Sequence, residues 1–205
     1  MSVVFTVDSK SFDKEFINSL ALRNNATQIR KNLFIGKQSL DQVFEKMKES
    51  MIREFIAHPV TKEILAGPGA SNISGTLSGY GNLFSFIGFN KGEDPIYPII
   101  KLLEQSHLIV SRFSNRKTLK ITIELPSPKQ IFSVTPMPWA TGLSWAQRIE
   151  LGMSGYPNYI AREKKGRSGG GIQAEESLFT GKFRNVKYIS HFINTWEKKF
   201  LKIFK

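Results

Sequence analysis

Apolar and polar residues alternate with two periods along this chain, and the change of period marks where helices give way to strands. The longest helical stretch is Ser39 to His58. There Leu40, Val43, Phe44, Met47, Met51, Phe55 and Ile56 recur at spacings of three and four, with charged residues on the other face. Ser39 with Gln42 has the form of a capping box, and Pro59 disfavours helical geometry at His58, so the pattern predicts an amphipathic helix between them. A second stripe, Ile189, Phe192, Ile193, Trp196, Phe200, Ile203 and Phe204, predicts a closing helix. Lys198, Lys199, Lys202 and Lys205 gather around its end, where cations complement the helix dipole. Asp94 as cap and Pro95 at the first position predict a further helix through Ile96, Ile99, Ile100 and Leu103, ending near His107. A short helix is expected from Ser144 to Leu151. Phe12, Phe16, Ile17 and Leu20 have helical spacing after an opening strand, Val3 to Val7.

Period two appears where Leu119, Ile121, Ile123 and Leu125 alternate with Lys120, Thr122 and Glu124, which predicts a strand with one buried face. Leu108 to Phe113 can pair with it through the turn Ser114–Asn115–Arg116–Lys117. Ile131 to Val134 reads as a third strand before Pro136 and Pro138 interrupt regular structure. Trp139 and Trp145 bracket a turn that leads into the Ser144 helix.

Two stretches fit neither period. Residues 67–92 read GPGASNISGTLSGYGNLFSFIGFNKG, with glycine too frequent for a helix interior, yet with Leu83, Phe84, Phe86, Ile87 and Phe89 strongly apolar. These side chains are expected either in a core strand or strand-loop closing over the Leu40 to Ile56 helix, or as exposed anchors for another chain. Residues 161–177, AREKKGRSGGGIQAEES, are basic at one end, triply glycine in the middle and poor in apolar groups, as in a mobile arm. Together the elements predict an α+β fold in one domain over residues 1–205. It would have a small antiparallel sheet packed with a long amphipathic helix and a carboxy-terminal helix, and residues 67–92 and 161–177 would serve as assembly arms.

Charge refines this picture. Twenty-nine Lys and Arg against 17 Asp and Glu give a formal net charge of +12, which suits phosphate or acidic partners. From Arg148 to Lys205 there are 12 basic and 5 acidic residues, so the carboxy-terminal third is the expected electrostatic contact surface. There is no cysteine, which excludes disulfides, thiolate nucleophiles and Cys-based metal sites. The amino-terminal residues lack the pattern of a signal peptide, and no stretch approaches the roughly 18 apolar residues of a membrane span, so no membrane partner is expected.

Candidate chemistry is sparse. His58, His107 and His191 are far apart in sequence and none sits in a metal-binding spacing, so each is read as structural. Gly36–Lys37–Gln38 and Gly181–Lys182–Phe183 do not complete a phosphate-binding loop. The Gly166–Arg167–Ser168–Gly169–Gly170–Gly171 run offers backbone N–H groups to an anion, but simple flexibility explains it better. Glu175 and Glu176 lie in polar surroundings and are read as solvated. Arg162, Lys164, Lys165 and Arg167, with Tyr156 and Tyr159 nearby, could meet DNA phosphates non-specifically or an acidic protein surface. No catalytic residue, metal ligand or cofactor is assigned.

The order of features resembles the tail-completion or neck proteins of long-tailed bacteriophages. An amphipathic helix ends at His58–Pro59, SNISGTLSGYGNLFSFIGF follows, and Tyr188 to Phe204 closes the chain as a helix. Ser74–Gly75–Thr76–Leu77 would occupy that family's turn, in Gly–Thr order where Thr–Gly is common. The resemblance implies a non-catalytic virion structural protein, assembled in the host cytoplasm and located in the neck or tail. It implies a homo-oligomeric ring, six subunits being one expected size, which touches connector, adaptor, tail terminator or tail tube proteins. Ring closure needs heterologous contacts, for which Leu83, Phe84, Phe86 and Phe89 are candidate anchors and Arg162, Lys164, Lys165, Arg167 and Ile172 candidate arm contacts. A DNA-binding or packaging accessory protein is the alternative.

Overall fold

The computed structural model describes residues 2–8, 34–35, 38–77, 81–112, 118–138, 140–152 and 186–203. They form a mixed helix and strand fold, α+β as the periodicity predicts, with every sheet antiparallel. The predicted helix over Phe12 to Leu20, the Ser114–Lys117 turn, Trp139 and the arm at 161–177 lie outside the described residues. The chain divides into two compact units. One comprises Met1–Ile52, Leu103–Pro126 and Asn194–Lys205, the other Arg53–Leu102 and Ser127–Ile193.

The first unit contains a three-stranded sheet. Strand β1 (Ser2–Asp8) pairs with β5 (Thr118–Glu124), which pairs on its other side with β4 (His107–Arg112). Its register places Val4, Thr122 and Ile109 in one cross-strand row, where Val4 and Ile109 are exposed. Leu108, Val110, Ile121 and Ile123 project to the opposite face and are buried. That division follows from the period of two read in the sequence.

A two-residue pairing of β2 (Phe34–Ile35) with β3 (Gln38–Ser39) delivers the chain to α1 (Leu40–Ala57). The capping box forms as its sequence requires. Ser39 N donates to Gln42 Oε1 at 3.1 Å, and Gln42 N donates to Ser39 Oγ at 3.3 Å. Leu40, Phe44, Met47 and Met51 are buried, and Phe44 meets Phe200 of the closing helix α7 (Ile189–Ile203) with ring centroids 5.9 Å apart. Lys48 and Lys199 lay their ammonium groups over the rings of Phe44 and Trp196.

In the second unit α1 ends at Ala57 and α2 (Pro59–Leu65) begins after one residue. Pro59 does stop the first helix. The same residue also starts the next, because its fixed φ suits a first helical position, and His58 caps it in extended geometry. A 3-10 turn at Gly67–Gly69 follows, then α3 (Leu83–Ile87) and α4 (Tyr97–Glu104), the latter opened by Asp94 Oδ1 accepting from Ile96 N and Tyr97 N, each at 3.1 Å. Helix α5 (Pro128–Ser133) precedes the small β6 (Pro136–Met137) and β7 (Ala140–Ser144) pair and α6 (Trp145–Leu151).

Two expectations are corrected. Ile131 to Val134 is not a strand, because Ser127 and Gln130 form a reciprocal capping box around Pro128 and turn the segment into α5. Leu83 to Phe89 is not a strand either. Asn82 Oδ1 accepts from Ser85 N at 2.9 Å and Gly88 closes the far end in the left-handed region at φ 90°, so the residues between complete a short helix. Gly88→Ala is expected to lower stability by about 1–2 kcal/mol, the penalty for a side chain in that region. It should appear as a reduced urea midpoint with an unchanged m-value; an unaltered midpoint would contradict this account of α3.

Candidate functional site

The segment read as an assembly arm, residues 67–92, is held to its own unit by polar anchors. Glu63 on α2 is fully buried, and each carboxylate oxygen takes one backbone N–H: Ser74 N at 2.7 Å and Leu83 N at 2.7 Å. The second of these is a first-turn donor of α3 that has no partner within the helix. One side chain thus fixes both ends of a glycine-rich excursion. Asn82 adds a tie by donating from Nδ2 to Pro68 O at 2.9 Å.

Ser74–Gly75–Thr76–Leu77 forms a turn. Gly75 sits at φ 65°, Ser74 Oγ and Thr76 Oγ1 are 2.6 Å apart, and Thr76 and Leu77 are buried. Of the apolar candidates, Leu83, Phe84 and Phe89 lie in the core and Phe86 is half-buried. The core reading of this segment, in helical form, is what the structure has. Buried side chains offer no surface to a neighbour, so the exposed-anchor reading of Leu83, Phe84 and Phe89 is set aside. Arg162, Lys164, Lys165, Arg167 and Ile172, together with Tyr156, Tyr159, Gly166 to Gly171, Glu175 and Glu176, lie outside the described residues.

What buries the segment is a run of rings. Phe84 meets Phe89 at 5.3 Å, Phe89 meets Trp145 edge-on at 5.7 Å, Trp145 meets Tyr188 at 6.4 Å, and Tyr188 stacks near Phe55 at 5.9 Å. Phe192 completes it against Phe55 at 5.3 Å. Tyr188 is fully buried, and its hydroxyl is 3.0 Å from Thr61 Oγ1, which satisfies the polar tip of an otherwise apolar side chain. Burial pushes the Tyr188 phenol far above its ordinary value, an effect opposed by the Thr61 hydrogen bond and reinforced by Glu150, so it stays protonated. Glu150 of α6 accepts from the backbone N–H of Ser190 and from Ser190 Oγ at 2.7 Å, a carboxylate placed at the amino-terminal turn of α7.

The three histidines take separate positions. His58 is the α2 cap, its Nδ1 accepting from Val60 N at 3.3 Å, with its ring 5.0 Å from that of Tyr188. His107 lies opposite Glu124 across β4 and β5, with Nε2 3.2 Å from the carboxylate and both side chains exposed. His191 is exposed on α7 and acts on His58 through space. Among the described residues no three His, Asp or Glu side chains are grouped to hold a metal ion, and no helix is long and apolar enough to cross a membrane.

Sequence reasoning missed Glu63 because it missed α2. The signal was present: in Val60–Thr61–Lys62–Glu63–Ile64, the acid stands three residues after one buried apolar group and beside another, on the inward face. Glu150 and Ser190, 40 positions apart, carried no local signal. No protein-family model, no curated protein and no solved structure matches this chain. Glu63→Gln should destabilise the protein by about 2 kcal/mol, since one of the two backbone N–H donors would face an amide NH2. Chemical unfolding measures it; a loss below ~0.5 kcal/mol would show that the carboxylate does not hold Ser74 and Leu83 in place.

Proposed function

We propose that this chain is a non-catalytic structural subunit of a long-tailed bacteriophage particle, of the neck or tail-completion type, joining head to tail as a closed ring. The observation that supports this reading most directly is the order of elements. A capped 18-residue helix, a Ser–Gly–Thr–Leu turn, an antiparallel hairpin and a 15-residue closing helix follow one another in the sequence in which that family has them. The sheet lies in one compact unit with the Leu40–Ile52 part of α1 and the Asn194–Ile203 part of α7, in keeping with a sheet covered by a long helix and a returning carboxy-terminal helix.

Four chemically competent side chains among the described residues have structural employment. His58 caps a helix, Glu63 binds two backbone N–H groups, Glu150 holds the start of α7 and His107 faces Glu124 across a hairpin. With Leu83, Phe84 and Phe89 given to the core, the contacts between subunits fall to the surface and to the basic segment from Arg162 to Arg167. Positive charge there suits an acidic face on the next subunit.

The deciding measurement is the position of the chain in an intact particle. Image reconstruction or labelling of tailed particles that carry it should find a single ring of copies at the junction of head and tail. Its absence from finished particles, or its presence dispersed over the capsid surface, would refute the reading. Binding of the purified chain to duplex DNA that weakens with salt and is lost on neutralising Arg162, Lys164, Lys165 and Arg167 would favour the packaging accessory alternative.

A further inference from the structure

We propose that the outer face of the β1–β5–β4 sheet is self-complementary and docks a second copy of this chain, face to face, about a twofold axis that runs across the strands through Thr122. The inference is independent of the proposed place in a virion. It concerns the chain in solution, where a twofold pair is the simplest closed assembly. The register puts Val4, Thr122 and Ile109 in the middle row of this face. Glu124 and His107 form the row on one side, Lys120 and Ser111 the row on the other. Val4 is 47% and Ile109 39% exposed, while Leu108, Val110, Ile121 and Ile123 fill the core from the opposite face. Two aliphatic side chains thus flank a central threonine in the open, with charge on either side.

The charges select the occupant. Glu124 and Lys120 stand on β5 at equal distances from Thr122, and the strand holds them about 13 Å apart, too far to pair with each other. An axis across the strands keeps the middle row over its own copy, so that Val4 meets the partner's Val4 and Ile109 the partner's Ile109. It also reverses the strand direction, which sets each Glu124 over the partner's Lys120, twice in every pair. An axis along β5 would oppose Glu124 to the partner's Glu124 and Lys120 to the partner's Lys120, which like-charge repulsion disfavours. Sheets that pack face to face lie about 10 Å apart with their strands nearly aligned, a gap that side chains of these sizes fill. His107 holds Glu124 at 3.2 Å within the chain, yet the glutamate side chain keeps 44% exposure. Other occupants fit less well. Lys120 and Glu124 offset each other, so the face does not attract a phosphate backbone, and two exposed aliphatic residues between charges are too few to enter a membrane surface.

Sedimentation equilibrium of the full-length protein at low salt tests this. The patch is small beside a standard interface, so the native chain should dimerise weakly, with a dissociation constant on the order of 100 µM. Lys120→Glu and Glu124→Lys should each weaken the dimer at least about tenfold, because each sets like charges opposite one another. The double exchange restores an acid over a base at both places and should return the constant to within about threefold of native. A contact within one chain could not give that recovery across about 13 Å of strand. A native chain still monomeric at about 1 mM, an association indifferent to the single exchanges, or a double exchange without recovery would overturn the proposal. Should an exchanged chain fail to fold, magnetic resonance of the native protein decides: the amide signals of Val4, Ile109 and Thr122 should shift with protein concentration, and their constancy would overturn it.

Discussion

The constraint on which the second unit turns is that a glycine-rich stretch supplies almost none of its own order. Residues 67–92 lose more backbone entropy on folding than an ordinary segment of that length, and short helices such as α3 are marginal in isolation. The compensation comes from one buried carboxylate. By accepting from Ser74 and Leu83, Glu63 converts two free backbone donors into a closed excursion and positions α3 to place Leu83, Phe84, Ile87 and Phe89 in the core. Charge burial of this kind is tolerable only when the carboxylate is hydrogen-bonded, and only where it is does the excursion have a fixed shape.

The aromatic run from Phe84 to Phe192 then binds elements distant in sequence, and its polar fittings give it specificity. Apolar burial supplies most of the free energy without dictating geometry. Geometry comes from groups that have one satisfactory partner: the Tyr188 hydroxyl on Thr61, the Glu150 carboxylate on Ser190 and the His58 ring on Val60. In the first unit the same division holds on a smaller scale, with Phe44, Trp196 and Phe200 as the apolar part and the lysines over their rings as the charged margin.

Elements with a sustained period were legible in the sequence. The Leu40 helix with its Ser39–Gln42 box, the hairpin of His107–Arg112 with Thr118–Glu124, and the Ile189 helix all formed where spacing placed them. Short elements governed by end groups were not. Pro59 signals the end of the helix before it, and a proline that stops one helix is equally fit to start another. The apolar run at Ile131 to Val134 has strand character, but the Ser127–Pro128 cap ahead of it makes it helical, and Asn82 and Gly88 stand among other small residues that mask their capping role. The candidate site suffered similarly. Apolar character at Leu83, Phe84 and Phe89 was evident, but whether it faced inward depended on Glu63, whose role needs the fold to be seen.

The bond between Glu150 and Ser190 has an evolutionary corollary. It joins α6 directly to the first turn of α7 across 40 positions of sequence. Substitution at either residue is therefore constrained by the other, because a change that leaves the Glu150 carboxylate without its donors, or Ser190 without its acceptor, is disfavoured unless both change together.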